Sequence, residues 1–172
     1  MFNKASDALS DYYYFQADVK GNSTVPDMSG TVRFYPWLDG TMVEMELTGL
    51  PTREAPFAVH IHEGAVCEPN EFKSAGPHLV STDVELTVSP ENHPTNIKSS
   101  QKHPGHMGDL PSIFSNNGYA YMATYTDRFI PQQVNGRTVI IHSSPDSFTD
   151  TSSFGTRIAC GVIHGMEVSR SR

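Results

Sequence analysis

The chain has 172 residues and a mass of 19.0 kDa, a size that suits one domain around one core. A hydrophobic share of 37% is too high for a disordered chain, and no apolar run reaches the length of a bilayer-spanning helix. A net charge of −7 with a pI near 5.5 argues against nucleic acid as the main partner.

Thirteen Gly and twelve Pro favour turns and strands over long helices. Met1-Phe2-Asn3-Lys4-Ala5-Ser6-Asp7 lacks the apolar stretch of a secretory signal, which fits a cytosolic chain or a mature form carrying an added methionine. The aromatic run from Tyr12 to Val19 predicts a first strand. Gly30 to Tyr35 predicts a second, stopped by Pro36. In Thr41 to Leu50, Val43, Met45 and Leu47 alternate with Met42, Glu44 and Glu46, so the glutamates are expected on a wet face. Phe57 to His62, Tyr119 to Tyr125, Thr138 to His142 and Ile158 to Ile163 complete seven strands, with Asp83 to Val88 as an extra piece. Many short strands separated by turn signals indicate an all-β antiparallel sandwich or barrel. The stretch from Glu63 to Gly118 has no clear strand and holds four of the eight histidines, which marks it as functional. Asn22-Ser23-Thr24 fits the glycosylation sequon, a triplet common by chance.

Phe57, Val59 and Ile61 share one face of their strand, while His60 and His62 share the other. An isolated pair of this kind is ordinarily half-exposed and does nothing. Further on, His103-Pro-Gly-His106-Met-Gly-Asp109 offers two imidazoles and a carboxylate within seven residues, the ligand types of zinc. Its prolines and glycines would make a polar turn in any case. His142 ends a strand and supplies a further candidate ligand. Together these positions make metal binding the better reading. Cys67 and Cys160 form no CxxC, which excludes a thioredoxin-type motif and leaves two buried thiols or one long-range disulfide.

The segment His60-Ile61-His62-Glu63 is followed by Cys67 and then Phe72-Lys73-Ser74-Ala75-Gly76-Pro77-His78. His103 to Pro111, Gly136 to His142 and Gly155 to Ile163 follow in order. These segments resemble the copper–zinc superoxide dismutase family from about Phe57 to Ile163. The spacing after Cys67 and the short gap from His103 to His106 are similar to bacterial-type members. The resemblance implies a Greek-key β-sandwich or flattened barrel of about eight antiparallel strands with long metal-binding loops. It implies one domain over 1–172, with 1–10 and 165–172 as flexible ends.

It also implies copper on His60, His62, His78 and His142, with zinc on His78, His103, His106 and Asp109. His78 is then the bridge and, with Arg157, catalytic. Asp146 would link a copper histidine to a zinc histidine. Cys67 and Cys160 would form a disulfide worth roughly 4–5 kcal/mol by the loop-entropy model. The substrate implied is superoxide, turned over by Cu(II)/Cu(I) cycling, with Arg157 attracting the anion. The alternative is a non-catalytic relative that buffers or delivers metal, but such relatives lose a copper histidine or the arginine. A homodimer is admitted, and the disulfide favours an extracytoplasmic or secreted setting over the cytoplasm.

Two features depart from the family pattern. His78 precedes His103 by 25 residues, with Leu79 to Asn92 inserted, and His93-Pro94-Thr95-Asn96 makes His93 a rival for the bridge. Ser-Ala-Gly-Pro-His is the stronger local match, so His78 is preferred. The loop from Ser143 to Thr156 carries Asp146 and Asp150 but no Lys or Arg. Attraction of the anion therefore falls to Arg157 and the metals, unless Lys98, Lys102 or Arg128 folds near the channel. His164 has no assigned role and is expected in solvent.

Overall fold

The computed structural model describes residues 14–51, 55–80, 107–146 and 155–166. Among these residues, eight antiparallel strands run in the order β5-β4-β7-β8-β1-β2-β3-β6. They are β1 (Tyr14–Gly21), β2 (Ser29–Trp37), β3 (Gly40–Thr48), β4 (Pro56–His62), β5 (Asp109–Phe114), β6 (Ala120–Thr126), β7 (Thr138–His142) and β8 (Arg157–Met166). The first three form a meander, and the chain then crosses from β3 to β4 and again from β6 to β7. Those crossings make the Greek key. The sheet curls until the outer strands β5 and β6 approach each other, which gives the nearly closed barrel expected from the resemblance.

Period-two alternation explains the interior. Phe15, Ala17 and Val19 of β1 point inward with Val32 and Phe34 of β2 and Val43, Met45 and Leu47 of β3. Phe57, Val59 and Ile61 of β4 and Val139 and Ile141 of β7 fill the other half. A smaller cluster lies on the outer face, where Ile140 and Cys160 meet Phe72 and Ala75 of the loop after β4. That loop contains a short 3-10 turn, Lys73–Ala75, and is stapled to β8 by the Cys67–Cys160 disulfide. Outward-facing β4 and β7 residues are therefore roofed over, and His60, His62 and His142 sit under that roof.

Three sequence expectations are corrected. Pro36 does not stop β2, which continues to Trp37. Pro36 stays in register opposite Thr41 of β3 and the ladder runs on to Trp37 opposite Gly40, so pairing with β3 carries the strand past the missing N–H. The stretch from Glu63 to Gly118 does contain a strand, β5. Its signal is broken by Pro111, which sits where two steps along β4 (Phe57 to Val59) face three along β5 (Ile113 to Leu110), an irregularity suited to an edge. Finally, Glu44 is not solvent-facing: it is 1% exposed. Arg33 stands opposite it on β2, its guanidinium 3.7 Å from the carboxylate, and the hydroxyls of Tyr121 and Tyr35 donate to it at 3.0 and 3.5 Å. Large side chains on both neighbouring strands close over it, so a nominally wet face is dry at its centre. Burial and the adjacent carboxylate push the Tyr35 phenol well above its ordinary range. Asp83 to Val88 and residues 1–10 and 167–172 lie outside the described residues, while Gly165 and Met166, the start of the expected flexible end, continue β8 opposite Phe15 and Tyr14. His164 is exposed, as expected.

Candidate metal centre

Four imidazoles converge on the outer face of the barrel. His60 and His62 project from β4 on the side opposite Phe57, Val59 and Ile61, as alternation requires, and His142 projects from the end of β7 beside Ile140. His78 arrives from the loop. Its backbone runs alongside β4: the Leu79 N–H donates to Ile61 O at 2.9 Å and the Glu63 N–H to Pro77 O at 3.0 Å. Gly108 completes this packing, since a Cβ there would lie 2.4 Å from Ile61 O. The reading of His60 and His62 as half-exposed bystanders fails, because both are 0% exposed and His142 is 3% exposed.

One nitrogen of each of the His60, His62 and His142 rings is committed outward. Nε2 of His60 donates to Asp146 Oδ1 at 2.7 Å, and Nδ1 of His62 donates to Gly76 O at 2.9 Å. Nδ1 of His142 lies 3.5 Å from Gly155 O. These bonds select the tautomer and turn the remaining nitrogens toward a common centre. One candidate ligand atom from each of His60, His62, His78 and His142 falls within 4.8 Å of the others. Two ligands across a metal with 2.0–2.1 Å bonds stand about 4.1 Å apart, so small ring rotations close the set. The Nε2 atoms of His62 and His142 face each other at 3.4 Å, lone pair toward lone pair, an arrangement that a cation turns from repulsion into coordination. Four imidazole nitrogens suit copper or zinc. The donor set fits the metals.

Burial, ahead of every other cause, depresses His62 and His142 from 6.5 to about 3, so both are neutral ligands at ordinary pH. Unfolded imidazoles take up protons near 6.5 while these folded ones remain neutral to about 3. Acid therefore favours the unfolded metal-free chain. Chelator-stripped protein should lose stability as pH falls from about 6.5 toward 3, by up to about 1.4 kcal/mol per pH unit for each histidine. Denaturant midpoints measured across that window check this; a flat profile would show that the rings protonate without unfolding.

On the other side of His78, its Nδ1 lies 3.6 Å from Asp109 Oδ1, close to the spacing of two ligands on one tetrahedral ion. His103, His106 and the rival bridge His93 lie outside the described residues, as do Lys98 and Lys102. Asp146 accepts from His60, and burial with nearby Asp109 raises its carboxyl. Arg157 points its guanidinium at two carbonyls, Nη1 to Phe72 O and Nη2 to Gly76 O, both at 2.7 Å. Partial burial lowers its pKa, yet a guanidinium remains charged at any ordinary pH. Gly76 O thus accepts from both Arg157 and the His62 ring, joining the arginine to a metal ligand through one atom. Arg128 donates Nη1 to Asp109 O at 2.8 Å, placing its charge on the carboxylate side of the centre. Sequence reasoning passed over these backbone acceptors, since no side-chain motif encodes a carbonyl. Phe72 carries no such mark in the sequence; only the structure shows that its backbone adopts φ 50°, unusual for a non-glycine.

A Greek-key barrel bearing buried imidazoles and a carboxylate on its outer face, roofed by a disulfide-stapled loop, defines a β-barrel metalloprotein. Residues 28–163 match the family model described as "Copper/zinc superoxide dismutase (SODC)". The chain is 31% identical over 142 residues to the superoxide dismutase [Cu-Zn] of Legionella pneumophila, covering 80% of this chain and 79% of that protein. It is 29% identical over 153 residues to the superoxide dismutase [Cu-Zn] of Deinococcus radiodurans, covering 81% and 79%. The Cu/Zn superoxide dismutase from Brucella abortus shares the fold with a TM-score of 0.65 at 21% identity, over 87% of this chain and 98% of that one. The chain belongs to the copper/zinc superoxide dismutase family. It is an oxidoreductase whose metals are copper and zinc and whose substrate is superoxide.

Proposed function

We propose that His60, His62, His78 and His142 hold copper, that His78, Asp109, His103 and His106 hold zinc, and that Arg157 orients superoxide. The observation that carries this is the convergence of four buried imidazoles with Arg157 tied to the same carbonyl as His62. Copper, when bound, supplies the one-electron couple by which two superoxide ions and two protons become oxygen and hydrogen peroxide, while zinc contributes redox-inert charge. His78 turns Nδ1 toward Asp109, so Nε2 is its copper-facing atom and the one able to carry a proton to reduced substrate. Asp146 keeps the His60 proton on Nε2 and so presents Nδ1 to the metal. Arg157 places a fixed positive charge beside the centre, with its orientation set by two carbonyls.

The test is metal analysis of protein loaded with both metals, alongside superoxide consumption. One copper and one zinc per chain with activity is expected; zinc without measurable copper affinity would sink the catalytic reading. Ionic strength separates local from distant attraction. The segment between His142 and Arg157 has no Lys or Arg and the chain carries −7, so added salt should slow the enzyme only weakly. Arg157→Ala should lower kcat/KM about 10-fold or more at every salt concentration. A steep fall in the unsubstituted enzyme would instead locate steering in a cationic patch, with Arg128, which reaches Asp109 O, first to replace and Lys98 and Lys102 next.

One domain over 1–172, a homodimer and an extracytoplasmic setting belong to the same proposal. The disulfide supports the setting. Trp37 and Leu38, 43% and 87% exposed at the β2–β3 turn beside Tyr125, support self-association. Sedimentation should give a dimer that Leu38→Lys weakens; an unchanged assembly would place the contact elsewhere.

A further inference from the structure

Asn22, at the start of the β1–β2 turn, makes more connections than a turn requires. Its Oδ1 accepts from the Thr24 N–H at 2.9 Å and the Thr24 hydroxyl at 2.6 Å, which closes the turn locally. Its backbone N–H donates to Ile158 O at 2.8 Å. The two hydrogens of Nδ2 then go to different elements: one to Arg157 O at 3.0 Å, the other to Asn70 O at 2.9 Å. Arg157 O is the main chain of the residue that carries the guanidinium. Asn70 lies two residues before Phe72, whose carbonyl receives that guanidinium at 2.7 Å. Both Asn70 (φ 83°) and Phe72 (φ 50°) adopt left-handed backbone, a local geometry that needs outside support.

One amide nitrogen therefore spans the gap between the backbone of Arg157 and the loop that holds its tip. We propose that Asn22 is a positioning residue for Arg157: it sets the distance between β8 and the acceptor loop, and so where the positive charge stands beside the metal centre. The proposal rests on Arg157 as the residue that orients the anion. It also gives the Asn22-Ser23-Thr24 sequon a different meaning, because a glycan on Nδ2 leaves one hydrogen for two carbonyls.

The test uses protein loaded with copper and zinc. Asn22→Asp keeps the acceptor for Thr24 and presents no N–H to Asn70 O or Arg157 O. Thr24→Val removes the hydroxyl and the sequon but leaves both Nδ2 donors. Azide, a small monoanion, is titrated against the visible copper absorption to read anion affinity, alongside kcat/KM and the thermal midpoint. Asn22→Asp is expected to weaken azide affinity and lower kcat/KM by about 3- to 10-fold, with Thr24→Val within about twofold. In an Arg157→Ala background, Asn22→Asp should add nothing to the loss of azide affinity. Equal effects in both backgrounds, or unchanged azide affinity in a folded Asn22→Asp protein, overturn the positioning link. An Arg157→Ala protein with normal azide affinity and rate overturns the reading of Arg157 itself, and the proposal with it. Should Asn22→Asp fail to fold, Asn22→Ser retains an acceptor for Thr24, lacks the paired donors and carries the same expectations.

Discussion

Alanine at His78 is expected to spoil both metal sites at once and to lower superoxide turnover by more than about 100-fold, beyond what loss of an outer hydrogen-bond partner costs. The ring stands with its centroid 4.2 Å from that of His60 and 4.6 Å from that of His62, and with Nδ1 facing Asp109 at 3.6 Å. The same ring thus stands beside two copper-candidate histidines and the Asp109 carboxylate. Visible spectra of copper-loaded protein, with cobalt in place of zinc, read the two sites separately. Both spectra should change in His78→Ala, while His93→Ala leaves the copper spectrum nearly as it was. The reverse pattern would transfer the bridge to His93.

Replacing both Cys67 and Cys160 by serine is expected to destabilise the fold by about 2–5 kcal/mol, the range for loss of a native disulfide. The ring closes 93 residues of chain, which places the loop-entropy figure near the top of that range. For a chain of this length the thermal midpoint should fall by about 5–15 °C. An effect on rate should follow even where the variant is fully folded. Phe72 O and Gly76 O, the anchors of Arg157, belong to the stretch that Cys67 ties to β8, and Gly76 O also fixes the His62 ring. Calorimetry and kcat/KM measured well below the midpoint check the two effects. A lower midpoint with unchanged kcat/KM would mean that the Lys73–Ala75 turn and the burial of Phe72 hold those carbonyls without the disulfide.

Much of the fold was legible because strand periodicity is local. Thr138–His142 was read to the residue, and the inward set Phe57, Val59 and Ile61 follows from alternation alone. Where reading failed, the missing term was a neighbour in space. Glu44 alternates as a solvent-facing residue should, and only Arg33, Tyr35 and Tyr121 on adjacent strands make its position dry. Pro36 and Pro111 look like strand breakers until their partners are known: Pro36 keeps register with Thr41 of β3, and Pro111 sits at the irregularity between β5 and β4.

The same division runs through the metal centre. Residue type and spacing marked His60, His62, His142 and Asp109, and the family resemblance added His78 and Asp146, because imidazole and carboxylate chemistry travels with the side chain wherever it folds. Cys67 and Cys160 were marked as well, but two thiols 93 residues apart become a bond only where the outer faces of the loop and β8 meet. Tertiary structure alone decided which nitrogen each ring presents, since that choice belongs to Asp146, Gly76 O and Gly155 O. It alone aimed Arg157, through the carbonyls of Phe72 and Gly76, and brought Asn22 from a distant turn to brace it. Side-chain identity is written in the one-dimensional chain. Backbone acceptors are the same atoms at every residue, and only folding makes one of them different from the rest.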